Sequence, residues 1–224
     1  MLGLFDIFKS RSQCLDPEAP ENHRYIEGQK LYLSSSDPKK FATLTVNNND
    51  LTRPRIIYPR NWMRFQLKNC NFPLASINTT PILREHASAL ARLMDLSFTG
   101  TIDHEGETLE QCFEEIKCII EGKYGPFIGP ASFVTLDGTT ATSASMITVW
   151  KEYPLLAFSM TDPDYQGRGL AAALIRKSLA ALKLAGYKDL FLVVTAGNAA
   201  AESLYRKVGF EFLGPAVSGR GPLD

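Results

Sequence analysis

Histidine and cysteine are scarce, three and four in 224 residues. The cysteines (Cys14, Cys70, Cys112 and Cys118) form no C-x-x-C pair and none adjoins a histidine. This spacing argues against a zinc site and for a reduced, cytoplasmic setting. Net charge is missing as well. Lys+Arg and Asp+Glu both number 24, so no global field draws the chain to nucleic acid or to a membrane surface. No apolar run is long enough to span a bilayer. The stretch Met1–Arg11 is apolar but carries Asp6 and Lys9, and no cleavage site follows, so it is a poor signal peptide. Leu4, Phe5 and Phe8 share one face of a short amphipathic helix there, expected to pack on its own domain.

What is present is core. A hydrophobic content of 45% supports one large domain, or one domain plus an appendage. The charge is uneven: residues 1–78 hold 11 basic and 7 acidic side chains, residues 79–224 hold 13 and 17. Residues 12–24 are polar with Pro17 and Pro20 and read as a tether. Short β-like runs follow at Lys30–Leu33, Phe41–Val46, Arg55–Tyr58 and Trp62–Leu67, separated by turn clusters. Arg53, Arg55, Arg60, Arg64 and Lys68 interleave with Tyr58, Trp62 and Phe65. That pattern suits single-stranded nucleic acid, or a solvated sheet face with its aromatics turned inward. The neutral chain favours the second, and no nucleic-acid or membrane partner is expected.

Thr80-Pro81 is a helix-opening signal, with Thr as N-cap and Pro at the first helical position. Ile82, Ala89, Leu93 and Leu96 form the buried stripe expected of that helix, and Gly100 its end. Thr108 and Gln111 make a capping box for a second helix with the stripe Leu109, Phe113, Ile116 and Ile120. Between Asp103 and Glu121 lie seven carboxylates and one lysine. Strands are expected at Ala131–Leu136 and Ala144–Trp150, with a turn at Asp137-Gly138.

The most informative stretch comes next. The apolar strand Leu155–Thr161 runs into Asp162-Pro-Asp-Tyr-Gln-Gly-Arg-Gly-Leu-Ala171, and a helix with Leu170, Leu174, Ser178 and Leu182 on one stripe leaves it. Strand, glycine turn and helix together aim backbone N–H groups and a helix dipole at one spot, which suits a phosphate or pyrophosphate. No Gly-Lys-Ser/Thr ending is present, so this is not a P-loop, and Ala172 stands where G-x-G-x-x-G has its third glycine.

Gln166, Gly169 and Ala171 fit Gln/Arg-x-x-Gly-x-Gly/Ala. After another apolar strand, Leu190–Thr195, the block Asn198-Ala-Ala-Ala-Glu-Ser-Leu204-Tyr205 with Gly209-Phe210 fits Asn-x-x-Ala-x-x-Leu-Tyr followed by Gly-Phe. In these two blocks, their order and their spacing, the chain resembles the GNAT family of acetyl-CoA-dependent N-acetyltransferases, from about Pro81 to Phe212. The resemblance implies an α/β (α+β) fold with a mixed, mostly antiparallel central sheet flanked by helices. It places an acetyltransferase domain at 79–224, preceded by a β-rich segment at 1–78 of separate or sheet-completing role.

The resemblance also implies a site. Backbone amides of Gln166, Gly167, Arg168, Gly169, Leu170, Ala171 and Ala172 cradle the pyrophosphate of acetyl-CoA, the co-substrate, and no metal is involved. Ser159, Met160 and Thr161 run beside the pantetheine arm. Asn198 contacts that arm, caps its helix, or does both. Tyr205 protonates the departing thiolate, or is a core tyrosine with a satisfied hydroxyl. The acceptor is an amine on a small molecule or peptide, attacking the thioester directly. Neither strand beside the motifs carries a carboxylate, so the base candidates are Asp103, His104, Glu105, Glu107 and Glu152. Glu105 and Glu107 are carried forward, against the reading that this acidic loop is only solvated. A cationic acceptor and a monomer or homodimer are expected. The rival function is a non-catalytic acyl-CoA-binding or sensing module.

One mismatch concerns the end of the sheet. The family closes it with two strands after the tyrosine helix, but only fourteen residues follow Phe210, rich in Gly and Pro. Residues near Phe41–Val46 or Trp62–Leu67 are therefore expected to complete or cap the sheet beside the strand of Val193.

Overall fold

The computed structural model describes residues 45–47, 55–71, 73, 77–104, 106–216 and 221–223. The expected helix at Met1–Arg11, the tether at 12–24 and the strand Lys30–Leu33 lie outside them. Chain contacts separate a unit within Phe8–Tyr58 from one running from Pro59 to Asp224. The first is described only as an antiparallel pair, β1 (Thr45–Asn47) and β2 (Arg55–Ile57).

The second unit contains β3 (Arg60–Gln66), β4 (Thr80–Pro81), α1 (Ala87–Phe98), α2 (Leu109–Ile120), β5 (Phe133–Asp137), β6 (Thr140–Trp150), β7 (Tyr153–Thr161), α3 (Leu170–Leu184), β8 (Asp189–Thr195), α4 (Ala199–Val208) and β9 (Glu211–Pro215). Its sheet has the order β4-β5-β6-β7-β8-β3-β9. All pairings are antiparallel except β7 with β8. Side chains alternate along a strand, and helices cover both faces: Ser145 on β6 meets Ser178 on α3 at 3.1 Å, while Phe158, which pairs with Met146, stacks on Phe98 of α1.

The division falls between Tyr58 and Pro59, not at residue 78, because β3 belongs to the main sheet. All seven of its residues pair with β8, and its other edge pairs with β9. Met63, Phe65 and Leu67 join Leu190, Leu192, Val194, Ile175, Leu179, Val208 and Phe210 in one core cluster.

Two local readings change. Thr80-Pro81 opens no helix; it pairs with Val134 and Phe133 as a short strand. The Ile82 N–H then donates to the Ser132 carbonyl, and α1 starts only at Ala87, after a 3-10 turn at Arg84–His86. The Thr108–Gln111 capping box forms as expected. Both helices nevertheless turn differently from the expected stripes. α1 buries Leu90, Ala91, Leu93 and Met94 and leaves Leu96 exposed; α2 buries Cys112, Glu115, Ile116 and Ile119 and leaves Leu109 exposed.

Candidate active site

Parallel pairing of β7 with β8 stops after two register pairs, Leu155–Phe191 and Leu156–Leu192. The cause lies on the other edge of β7. A register shift between Met146 and Ile147 leaves Ala157 without a partner on β6, and such a bulge bends a strand and increases its twist. Beyond it, β7 stays with β6 and leaves β8. β7 ends at Thr161, which lines a cavity of about 660 Å³, and β8 ends at Thr195, whose hydroxyl donates to the lining residue Asp103.

The cavity runs onto the glycine loop. Asp162 Oδ1 accepts from the Asp164 N–H at 2.9 Å, and Tyr165 donates to Asp137 Oδ2 at 2.6 Å, pinning the loop to the β5–β6 turn. Gly167 and Gly169 have φ of 75° and 76°. A Cβ at either would meet nothing within 4 Å, so backbone conformation, not crowding, demands glycine there. Gly169 precedes the first turn of α3, and the first helix N–H with a protein acceptor belongs to Ala173, onto the Gly169 carbonyl. Among the described residues the N–H groups from Gly167 to Ala172 are thus left with their hydrogens available at a helix N-terminus.

Gln166, Gly167, Gly169, Leu170, Ala171 and Ala172 all line the cavity. Arg168 does not. It is exposed, donates to the Asp164 carbonyl at 2.9 Å and lies 4.5 Å over the Tyr165 ring, so it braces the loop from outside. Ser159 and Thr161 line the cavity from β7. Met160, between them, points to the opposite face and is 1% exposed.

Asn198 caps α4, its Oδ1 accepting from the Ala201 N–H at 3.1 Å, and its Nδ2 donates to Asp103 at 2.7 Å. Tyr205 follows two turns along the same helix, and both residues line the cavity. The Tyr205 ring meets Phe210 edge-on at 5.8 Å. Burial pushes its phenol well above the ordinary 10.0, the negative charge of Asp103 pushes it further, and a hydrogen bond from Ser159 opposes both. The hydroxyl therefore stays protonated throughout the neutral range.

Of the loop candidates, the structure brings Asp103 to the cavity. Glu107 lies away from the lining, with its Oε2 4.0 Å from His104 Nε2. Glu152 is exposed and also away from it. Glu105 lies outside the described residues. Sequence reasoning did not single out Arg176 and Lys207, cationic residues on α3 and α4 that line the same cavity. A signal for Arg176 existed: helical side chains lean toward the N-terminus, so a residue one turn past Ala172 reaches back over the loop. Among the described residues no His, Cys, Asp or Glu cluster could hold a metal ion, and no helix is long and apolar enough to cross a membrane.

The acetyltransferase (GNAT) family model matches residues 89–210. The [ribosomal protein bS18]-alanine N-acetyltransferase of Escherichia coli (strain K12) is 39% identical over 77 residues, which cover 34% of this chain and 51% of that relative. The chain thus spans about half the length of the curated relatives it matches. A GCN5-related N-acetyltransferase from Sphaerobacter thermophilus superposes with a TM-score of 0.57 at 13% identity, covering 71% of this chain and 50% of the other. A GNAT acetyltransferase from Colwellia psychrerythraea gives 0.55 at 14%, covering 71% and 54%. At these identities the superpositions speak for the fold.

Proposed function

The chain belongs to the GNAT acetyltransferase family, and from that premise we propose that it is an N-acetyltransferase that moves the acetyl group of acetyl-CoA to an amine. The observation that carries this reading is the splay of β7 from β8, which opens onto unused helix N-terminal amides at one side and the Tyr205 hydroxyl at the other. The pyrophosphate takes the amides from Gly167 to Ala172, with Arg176 and Lys207 supplying countercharge. The pantetheine arm lies along Ser159–Thr161. The E. coli relative acts on an alanine of a ribosomal protein, which supports a polypeptide α-amine as the acceptor here.

The reaction balances with this chain's residues. The acceptor ammonium gives one proton to water, and its nitrogen attacks the thioester carbonyl carbon. The C–S bond breaks, and the sulfur leaves with that electron pair and takes the Tyr205 hydroxyl proton. The phenolate takes the second proton from the new amide nitrogen. An α-amine, with pKa about 8, is about 10% neutral at pH 7, so the first deprotonation is a small barrier. Three described cysteines (Cys70, Cys112 and Cys118) are unbridged, and direct attack needs no acyl-cysteine.

Turnover with a CoA-thiol readout, against peptides with free N-termini, free amino acids and alkyl amines, tests the proposal. Thiol release with at least one amine is expected. Tight CoA binding with no turnover on any of them would replace this function with an acyl-CoA-binding module.

Two variants at Gly169 test the phosphate site separately. Alanine there adds only the strain of a left-handed backbone, about 1–2 kcal/mol. Aspartate adds the same strain and a negative charge where pyrophosphate must sit. CoA affinity by calorimetry is expected to fall roughly ten- to a hundredfold more for Gly169→Asp than for Gly169→Ala. Equal affinities in the two variants would remove the pyrophosphate from this loop.

A further inference from the structure

The loop between α1 and α2 carries several carboxylates, and one of them is built into the cavity. The Thr101 hydroxyl donates to the Phe98 carbonyl at 2.8 Å and accepts from the Asp103 N–H at 3.2 Å, while the His104 N–H donates to the Thr101 carbonyl. This turn holds Asp103 toward the sheet. Its Oδ1 accepts from the Thr195 hydroxyl at 2.5 Å and its Oδ2 from Asn198 Nδ2 at 2.7 Å. The partners are 92 and 95 residues away in sequence, at the end of β8 and the cap of α4. Each carboxylate oxygen has a second lone pair to offer.

Asp103 is the only carboxylate among the described residues that line the cavity, whereas Arg176 and Lys207 supply its cations. The acid of the neighbouring strand, Asp189, sits at its far end opposite Gln66 and away from the cavity, and Leu192, Val193 and Val194, which lead into Thr195, carry none. We propose that Asp103 anchors the acceptor's amine through its charge and free lone pairs, next to Tyr205, and so selects cationic acceptors; this rests on the acetyltransferase reading. The carboxylate's work is to recruit the ammonium and hold it beside Tyr205 until the first proton goes to water, a role that a neutral amine does not call on. The effect of the Asp103 charge on the Tyr205 phenol places the two groups in one field.

Asp103→Asn keeps both loop hydrogen bonds, since an amide can donate to Thr195 and accept from Asn198, and removes the charge together with one acceptor oxygen. Full-length wild type and variant are compared with acetyl-CoA and two acceptors, Ala-Ala-Ala-amide, which is cationic, and 4-methylaniline, which is neutral. The expected result is a KM for the peptide raised roughly ten- to a hundredfold, kcat/KM for the aniline within about threefold, and unchanged CoA affinity. The peptide KM of wild type rises between roughly 20 and 200 mM NaCl, and that of the variant does not. An unchanged peptide KM, an equal loss on both acceptors, or the same salt slope in both proteins would make Asp103 a loop strut and overturn the proposal alone. Wild type that binds CoA yet acetylates no amine would instead overturn the acetyltransferase reading, and the proposal with it.

Discussion

Tyr205→Phe is expected to lower kcat by about 10²–10⁴-fold, the range for a positioned general acid, while CoA affinity stays within about twofold. The hydroxyl is the only atom removed, and no contact proposed for CoA in its ground state uses it. The ring remains, so its edge-on packing with Phe210 persists and the fold does not change. The need for the proton arises only when the C–S bond breaks and charge collects on sulfur. An interaction made only in the transition state lowers kcat and kcat/KM together and leaves ground-state binding alone. The pH profile carries a second signature. Because burial and Asp103 hold the phenol above its ordinary 10.0, wild-type kcat has no falling limb from Tyr205 at or below that pH. Single-turnover measurements separate chemistry from product release. A variant with wild-type single-turnover rate would make Tyr205 a packing residue.

The part of the site written in local sequence was legible. Gln166–Ala172 has its own turn chemistry, with positive φ at Gly167 and Gly169, and only glycine takes that backbone without strain. The Thr108–Gln111 capping box needs four consecutive residues and nothing else. What tertiary contacts decide was not legible. Asp103, Glu105 and Glu107 look alike as a solvated acidic loop, and only Thr195 and Asn198, distant in sequence, draw Asp103 inward. Thr80-Pro81 satisfies the local rule for a helix start, yet Phe133 and Val134 take it into the sheet edge. The helical stripes slipped for the same reason. α2 buries Glu115, whose Oε2 accepts from the Tyr124 hydroxyl at 3.1 Å, and no hydrophobic periodicity assigns a glutamate to the core.

Deleting residues 1–78 is expected to abolish cooperative folding, although none of the described residues among them lines the cavity. β3 stands between β8 and β9, so its loss strips the ladder bonds from one edge of each. The Leu67 N–H to the Lys188 carbonyl, the Ala196 N–H to the Pro59 carbonyl and the Ala216 N–H to the Arg60 carbonyl go with it. Met63, Phe65 and Leu67 are each 3% exposed or less, and burial of such side chains contributes about 1.5–3 kcal/mol apiece. Against a total stability of about 5–15 kcal/mol, that loss alone is of the size of the whole. The damage reaches the chemistry through α4. Gly209, at φ 112°, ends that helix, and an added Cβ would lie 3.0 Å from the Phe65 ring, which stacks on Phe210 at 5.6 Å. The strand that fills the sheet is thus also the floor under the helix of Asn198 and Tyr205. Phe65→Ala isolates this contact in the full-length chain. It is expected to cost about 3–5 kcal/mol in urea unfolding, and to lower turnover at temperatures where the protein is still folded. A chain beginning at Pro59 retains β3 and is expected to fold. A soluble, cooperatively unfolding and active 79–224 fragment, or a Phe65→Ala cost below about 1 kcal/mol, would show that β8 and α4 hold their places without β3.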